Sequence, residues 1–345
     1  LTELIVTNFN ANFTGVSATA AGVLRAQTAR YDLALAGRAL PGCPAPVTVA
    51  EARRLSRDVP PGRPFVIWHV RRNSEMRSAL WARDVLRLPI RIVFTSAAQR
   101  RHSALPRWLI SRMDAVIATT ARAADFVPHV RAVVPHGVDC ATFHPAEDRA
   151  AAWAQAGYPG QRGIATIGRI RPEKGTDRFV DAMLKLLPGQ PGTTALVLGR
   201  AGRSDLAFLQ GLKDRIAAVH LQERILFPGE IAPDALPALL RGLSAVVQLP
   251  RYEGYGMAPL EGMASGVPFV ATDAGYYRDF TGNGAAGQIV ANADDAAEAL
   301  TTLLGDPARH AAMSDAARQI AQSKFSVEAE ADGIGAVYEA LWRGA

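Results

Sequence analysis

Short apolar runs rich in β-branched residues recur along the chain, each followed by a stretch with helical spacing. In the first half they fall at 4–7, 31–36, 64–70, 90–96, 115–120 and 132–135; in the second at 163–167, 195–198, 224–227, 245–249, 268–271 and 287–290. These runs do not alternate apolar with polar. Uninterrupted apolar strands separated by helices predict parallel sheets covered on both faces, and two such series predict an α/β chain of two doubly wound, Rossmann-like domains. Residues 144–160 carry Pro145, Gly157, Pro159 and Gly160 around a short Ala-rich helix, and predict the linker. At the end of the chain, Ile334, Val337, Tyr338 and Leu341 share one helical face, which predicts a helix over 327–342. The expected division is 1–145, 146–325 and a terminal helix, 326–345.

Length and composition agree with this pattern. A chain of 345 residues, 49% hydrophobic and 20% charged, can fill two cores. No apolar run approaches the ~20 residues that span a bilayer, and no charged-then-apolar leader is present, so secretion is not expected. Cys43 and Cys140 lie far apart in sequence, in no metal or redox spacing, and are expected to be reduced thiols. Charge changes the picture more. Residues 1–150 hold 20 Arg, no Lys and 11 acidic residues, a net +9; residues 151–345 hold 18 basic and 21 acidic residues, a net −3. That asymmetry points to an anionic partner for the first half: nucleic acid, a membrane surface or an acidic substrate.

Three stretches carry candidate chemistry, each where a strand runs into a helix. In Arg251-Tyr-Glu-Gly-Tyr-Gly-Met-Ala-Pro-Leu-Glu261, Gly254 and Gly256 permit close backbone approach, a helix begins near Met257, and Glu253 and Glu261 could hold two sets of sugar hydroxyls. In Gly168-Arg-Ile-Arg-Pro-Glu-Lys-Gly175, Arg169 and Lys174 leave one strand end five residues apart, an arrangement suited to a diphosphate. In Asn8-Phe-Asn-Ala-Asn-Phe-Thr-Gly-Val-Ser-Ala-Thr19, Gly15 stands where a helix opens and continues to about residue 29. The chain has no G-x-G-x-x-G at this position and no G-x-x-x-x-G-K-[ST], which removes the support for nicotinamide-cofactor and P-loop readings.

Together these elements resemble the retaining glycosyltransferases of family 4, with the resemblance running from about Leu4 to Val290. It implies the GT-B fold: two Rossmann-like domains facing a central cleft, with a C-terminal helix crossing back to the first. It also implies roles. Arg169 and Lys174 match the diphosphate clamp, with Gly168 beside it; Glu261 matches the ribose-binding carboxylate and Glu253 the donor-sugar contact. Backbone at Tyr255, Gly256 and Met257 would hold sugar and phosphate, Tyr255 standing where the family more often has Phe. Gly229-Glu230-Ile231 matches the loop that reads the base, and Gly15 the N-terminal donor loop. His69, expected at the end of its strand and directed into the crevice, matches the active-site histidine. His136 stands where the family usually has Asn and is expected to be structural.

The stretches Ile67-Trp-His-Val-Arg-Arg-Asn-Ser-Glu-Met76, Val93-Phe-Thr-Ser-Ala-Ala-Gln-Arg-Arg-His102 and Trp108-Leu-Ile-Ser-Arg-Met-Asp-Ala-Val-Ile-Ala118 resemble the lipopolysaccharide core mannosyltransferases of α-proteobacteria. That narrower resemblance implies GDP-mannose as donor and a Kdo-containing lipid A precursor as acceptor, at the inner face of the inner membrane through peripheral contact. Arg71, Arg72, Arg100 and Arg101, two pairs after first-domain strands, would then bind the anionic acceptor; Arg53, Arg54, Arg57 and Arg63 look membrane-facing. With no D-x-D triplet in the chain and the Arg/Lys clamp in its place, neither a metal nor another cofactor is expected. A glucosyl- or other hexosyltransferase using a UDP- or ADP-sugar, a GT-B epimerase and a non-enzymatic nucleotide-sugar-binding module stay open. Nucleic acid is disfavoured, because aromatics are 7% and no stacking motif appears.

Overall fold

The computed structural model describes residues 1–12 and 15–344, in two units: Leu1–Gly137 together with Phe325–Ala345, and Val138–Lys324. The first unit holds six strands, β1 (Leu4–Asn8), β2 (Leu33–Gly37), β3 (Val66–Val70), β4 (Ile90–Ser96), β5 (Ala115–Ala118) and β6 (Val130–Val133). They form one parallel sheet in the order β2-β1-β3-β4-β5-β6. The second holds β7 (Arg162–Ile167), β8 (Thr193–Leu198), β9 (Ile225–Gly229), β10 (Leu243–Gln248), β11 (Phe269–Thr272) and β12 (Gly287–Val290). Its sheet is also parallel, in the order β12-β11-β10-β7-β8-β9.

Lack of alternation in the sequence follows from burial on both faces. On one face of the first sheet Ile5, Trp68, Ile92, Phe94 and Val116 pack with Met76, Leu80 and Leu109. On the other, Leu4, Ile67, Val93 and Ile117 meet Ile334, Val337, Tyr338 and Trp342 of the terminal helix Val327–Trp342. Ser326 caps that helix by accepting from the Ala329 N–H at 3.2 Å. Burial of each of its large apolar side chains is worth about 1.5–3 kcal/mol. Buried Glu330 adds a polar clasp, accepting from His136 Nδ1 and from the Gly137 N–H, both at 2.7 Å. His136 is therefore structural.

Two expectations are corrected. The units divide at Gly137–Val138 and Lys324–Phe325, not at 145 and 325. The guanidinium of Arg318 fixes the first point by donating to the carbonyls of Cys140 and Phe143 at 3.1 and 2.8 Å, which ties 138–145 to the second unit. Nor is 144–160 a linker. Asp148 caps the helix Arg149–Gln155, and Trp153 is fully buried with its Nε1 donating to the Gly160 carbonyl at 3.1 Å. The predicted helix from Gly15 ends at Gln27. Among the described residues no helix is long and apolar enough to cross a membrane.

Candidate active site

In each parallel sheet all strand carboxyl ends lie along one edge, and the strand order reverses once: between β1 and β3, and between β7 and β10. A crevice outside the strand ends at such a reversal is where open α/β sheets take ligands. In the second unit the loops after β7 and β10 meet there. Gln248 at the end of β10 donates to the Ile167 carbonyl at the end of β7, at 3.0 Å. The Arg251 N–H donates to the Glu173 carbonyl at 2.9 Å, and the Arg251 guanidinium grips Asp177 with two bonds of 2.8 and 2.6 Å. Gly175 stands at φ +69°, and a Cβ there would lie 1.8 Å from the Leu249 carbonyl oxygen. Only glycine lets the two loops approach this closely.

This junction brings the predicted cation and carboxylate together. Lys174 Nζ donates to Glu253 Oε2 at 2.6 Å, with both side chains largely shielded. The other oxygen of Glu253 accepts from the Gly254 N–H at 2.9 Å. Glu253 is followed by the helix Met257–Ala264, whose first-turn N–H groups lack intrahelical acceptors. Gly256, at φ +98°, caps it, and a Cβ there would sit 2.1 Å from the Tyr277 ring. Tyr255 is buried by its ring, which stacks on Tyr276 with centroids 5.3 Å apart and meets Phe280 edge-on. An aromatic is what this position requires, so Tyr in place of Phe changes little. Glu261, in the second turn, is half-buried, and its carboxylate has no hydrogen-bond or ion-pair partner among the described residues. Burial raises it to about 7.

Along the same sheet edge, Gly168, Arg169, Glu230 and Ile231 line a cavity of about 490 Å³. That volume suits a small ligand. Arg169 is exposed and its guanidinium is unpaired among the described residues. Gly199, Arg200, Gly202 and Leu236 also line it, with Arg200 pairing Glu230 at 3.1 Å. Sequence reasoning missed these four, although Gly199 follows the end of β8 just as Gly168 follows β7.

The first unit departs further from expectation. His69 lies inside β3 rather than at its end and is 0% exposed. Its Nδ1 meets the Tyr338 hydroxyl at 2.5 Å and its Nε2 the Thr95 hydroxyl at 2.7 Å. Burial, and secondarily nearby Arg71, holds the imidazole well below its ordinary range, so it is neutral at pH 7. Sheet parity turns the ring toward the terminal helix, so His69 is a core polar residue and the expectation that it points into a crevice is corrected. Arg72 is also committed. It donates to Asn8 Oδ1 at 3.1 Å, to Glu75 Oε1 at 3.1 Å and to Ser17 Oγ at 2.9 Å. Fully buried Glu75 also accepts from the Thr7 hydroxyl and from the N–H groups of Phe9 and Arg71, at 3.0, 3.1 and 2.8 Å. Arg72 and Glu75 therefore shape the edge at the β1–β3 reversal.

Arg71 differs: its Nη1 is buried and makes no hydrogen bond. Arg100 and Arg101 are exposed after β4. Gly15 opens the helix Gly15–Gln27 with open space around it, whereas Phe13 and Thr14 of the N-terminal stretch lie outside the described residues. Arg63 is not membrane-facing, because it binds Glu3 and Glu339 at 2.8 and 2.9 Å and packs over the Trp342 ring. Among the described residues no group of three or more His, Cys, Asp or Glu is placed to hold a metal ion.

Fold and site together define a GT-B glycosyltransferase, and comparison with known proteins places it. The solved structure of Anabaena Alr3699/HepE in complex with UDP and glucose superposes with a TM-score of 0.80 over 99% of this chain and all of that one, at 17% identity, a likeness of fold. Residues 150–320 match the family model of glycosyl transferases group 1. The chain is 40% identical over 343 residues to the lipopolysaccharide core biosynthesis mannosyltransferase LpcC of Rhizobium leguminosarum bv. viciae, covering 98% of this chain and 96% of the relative. It is 41% identical over 348 residues to the lipopolysaccharide core biosynthesis mannosyltransferase LpsB of Rhizobium meliloti (strain 1021), covering 99% and 98%. This chain belongs to the group 1 glycosyltransferases, the family its motifs resemble.

Proposed function

We propose that this enzyme transfers mannose from GDP-mannose, with retention of configuration, to the Kdo inner core of a lipopolysaccharide precursor. The observation that carries the reading is the full-length likeness to two proteins named lipopolysaccharide core mannosyltransferases. The second unit supports a nucleotide-sugar donor. In this reading the base occupies the cavity beside Ile231 and Gly199, Glu261 takes the ribose hydroxyls, and Arg169 and Lys174 take the diphosphate. Those cations neutralise charge developing on the leaving group, the electrostatic contribution that usually dominates such chemistry, and they fill the place of a metal. Glu253 and the helix start at Gly256 and Met257 orient the hexose. The acceptor hydroxyl attacks on the leaving-group face and the departing phosphate takes its proton, so Glu253 is not a nucleophile.

In the first unit, a buried guanidinium nitrogen without a partner is costly, and Arg71 is therefore assigned to an acceptor carboxylate or phosphate. Arg100 and Arg101 supply exposed positive charge, and Arg72 positions the edge. The enzyme works at the cytoplasmic face of the inner membrane by peripheral contact. The test is a panel of GDP-, UDP- and ADP-hexoses with a Kdo-lipid A acceptor, with and without EDTA. Mannose transfer from GDP-mannose that survives EDTA is expected. Transfer of another hexose from a UDP or ADP donor alone would overturn the donor assignment, and loss in EDTA that Mg²⁺ restores would overturn the metal-free clamp.

A further inference from the structure

The first unit carries an apolar surface that the reaction does not use. Of five tryptophans, Trp68, Trp153 and Trp342 are buried, but Trp81 and Trp108 are 51% and 58% exposed. They stand on neighbouring segments. Trp81 opens the π-helical turn Trp81–Val85, which prolongs the helix Asn73–Leu80, and Trp108 lies in the helix Ala104–Ser111. The inner sides of both segments join one core, through Met76, Ala82 and Leu109. Arg112, just after the second helix, reaches Asp84 in the π turn at 3.7 Å. Trp81 with Val85, and Leu105 with Trp108, are spaced one turn apart, so each pair shares an outer face, and all four are exposed. Clustered exposed apolar side chains of this size mark an interaction site, and π turns recur at functional positions.

The charge around this surface selects its partner. From Arg71 to Arg112 the chain has ten Arg against two acidic residues, Glu75 and Asp84, and Glu75 is fully buried. Arg77, Arg87 and Arg107 are exposed, with no side-chain ion pair among the described residues. We infer that Trp81, Trp108 and their apolar neighbours seat the enzyme in the interface of an anionic lipid bilayer, with the surrounding arginines on lipid phosphates. Indole rings favour that zone, and each arginine near an anionic surface adds attraction. A second copy of the chain fits less well, because a two-fold contact would set the same cations against each other. The inference deepens the membrane part of the proposed function, but lipid binding is measured without donor or acceptor.

The test is vesicle co-sedimentation of the full chain with phosphatidylglycerol–phosphatidylcholine mixtures and with phosphatidylcholine alone, combined with tryptophan quenching by brominated acyl chains. The wild type is expected to bind the mixed vesicles, to be quenched, and to be released by salt. Trp81→Ser/Trp108→Ser should lose roughly ten- to a hundredfold in partitioning and nearly all quenching. Arg77→Gln/Arg107→Gln should lose roughly tenfold, on mixed vesicles only. Leu206→Ser, an exposed apolar position in the second unit, should change nothing. Thermal melts check that each variant folds, and transfer to a short soluble acceptor should be unaltered in the tryptophan variant. Unchanged partitioning of that variant, or absence of quenching in the wild type, would overturn the inference. So would a concentration-dependent dimer, lost in the tryptophan variant, without vesicle binding. Vesicle binding in an enzyme that fails the donor panel would leave the surface standing and overturn the proposed transfer instead.

Discussion

Lys174 and Glu253 hold each other, and that pairing makes a prediction with opposite signs at its two ends. If Lys174 serves the diphosphate, it must give up or share its bond to Glu253 when nucleotide binds. The pair is 2.6 Å long, with its side chains 25% and 19% exposed. It is therefore worth more than a surface pair but is not fully desolvated, about 1 kcal/mol net, or roughly fivefold in an equilibrium constant. Glu253→Gln removes the competing charge and should tighten GDP binding by about that factor. Lys174→Met removes a charge-assisted phosphate contact and should weaken GDP roughly tenfold or more. In the double variant the gain from Glu253→Gln should vanish. Turnover should fall by on the order of 10²–10³ in the lysine variant. Titration calorimetry with GDP at low and high salt, on all four proteins, reads the cycle. Equal weakening of GDP by both single variants, or a gain from Glu253→Gln that persists without Lys174, would refute the reasoning.

Three further outcomes follow from other parts of the molecule. The Glu261 carboxyl is raised to about 7 in the folded protein from an ordinary value of 4.5, so as pH rises from 4.5 to 7 the unfolded chain loses this proton first and the fold is progressively destabilised. Glu261→Gln should thus be more stable than wild type at pH 8 by on the order of 2–3 kcal/mol, with the difference gone below pH ~4.5 in denaturant melts, and it should flatten any rise of GDP affinity between pH 6 and 8. Gly256→Ala adds a Cβ against the Tyr277 ring at a left-handed backbone position and should lower stability by about 2 kcal/mol or more while impairing donor binding, as thermal melts and GDP titration will show. Glu330→Ala leaves His136 and the Gly137 N–H buried without their acceptor and should cost about 2–4 kcal/mol, read as earlier denaturant unfolding.

What the sequence reveals about this molecule is its local pattern. The apolar runs locate the described strands, the inner ones because parallel strands buried on both faces need them, and the loops at 168–175 and 251–261 declare themselves as glycines and charges at strand ends. Long-range partners are not legible in that way. His69 looks like a residue at the crevice end of its strand until Tyr338, from the far end of the chain, closes on its ring. Arg71 and Arg72 are adjacent in sequence, yet one has a buried nitrogen without a partner and the other is held by Asn8, Ser17 and Glu75. The stretch at 144–160 reads as a linker by its proline and glycine, but its Trp153 is fully buried.

The central claim is that the strand-end edge of the second unit holds the donor, and a crystal structure of the enzyme with GDP-mannose tests it most directly. The account predicts the diphosphate against Arg169 and Lys174, the ribose on Glu261, the base beside Ile231, and the Lys174–Glu253 bond opened or shared with the ligand. A donor bound elsewhere on the chain, with Arg169 and Lys174 untouched and that bond intact, would contradict it.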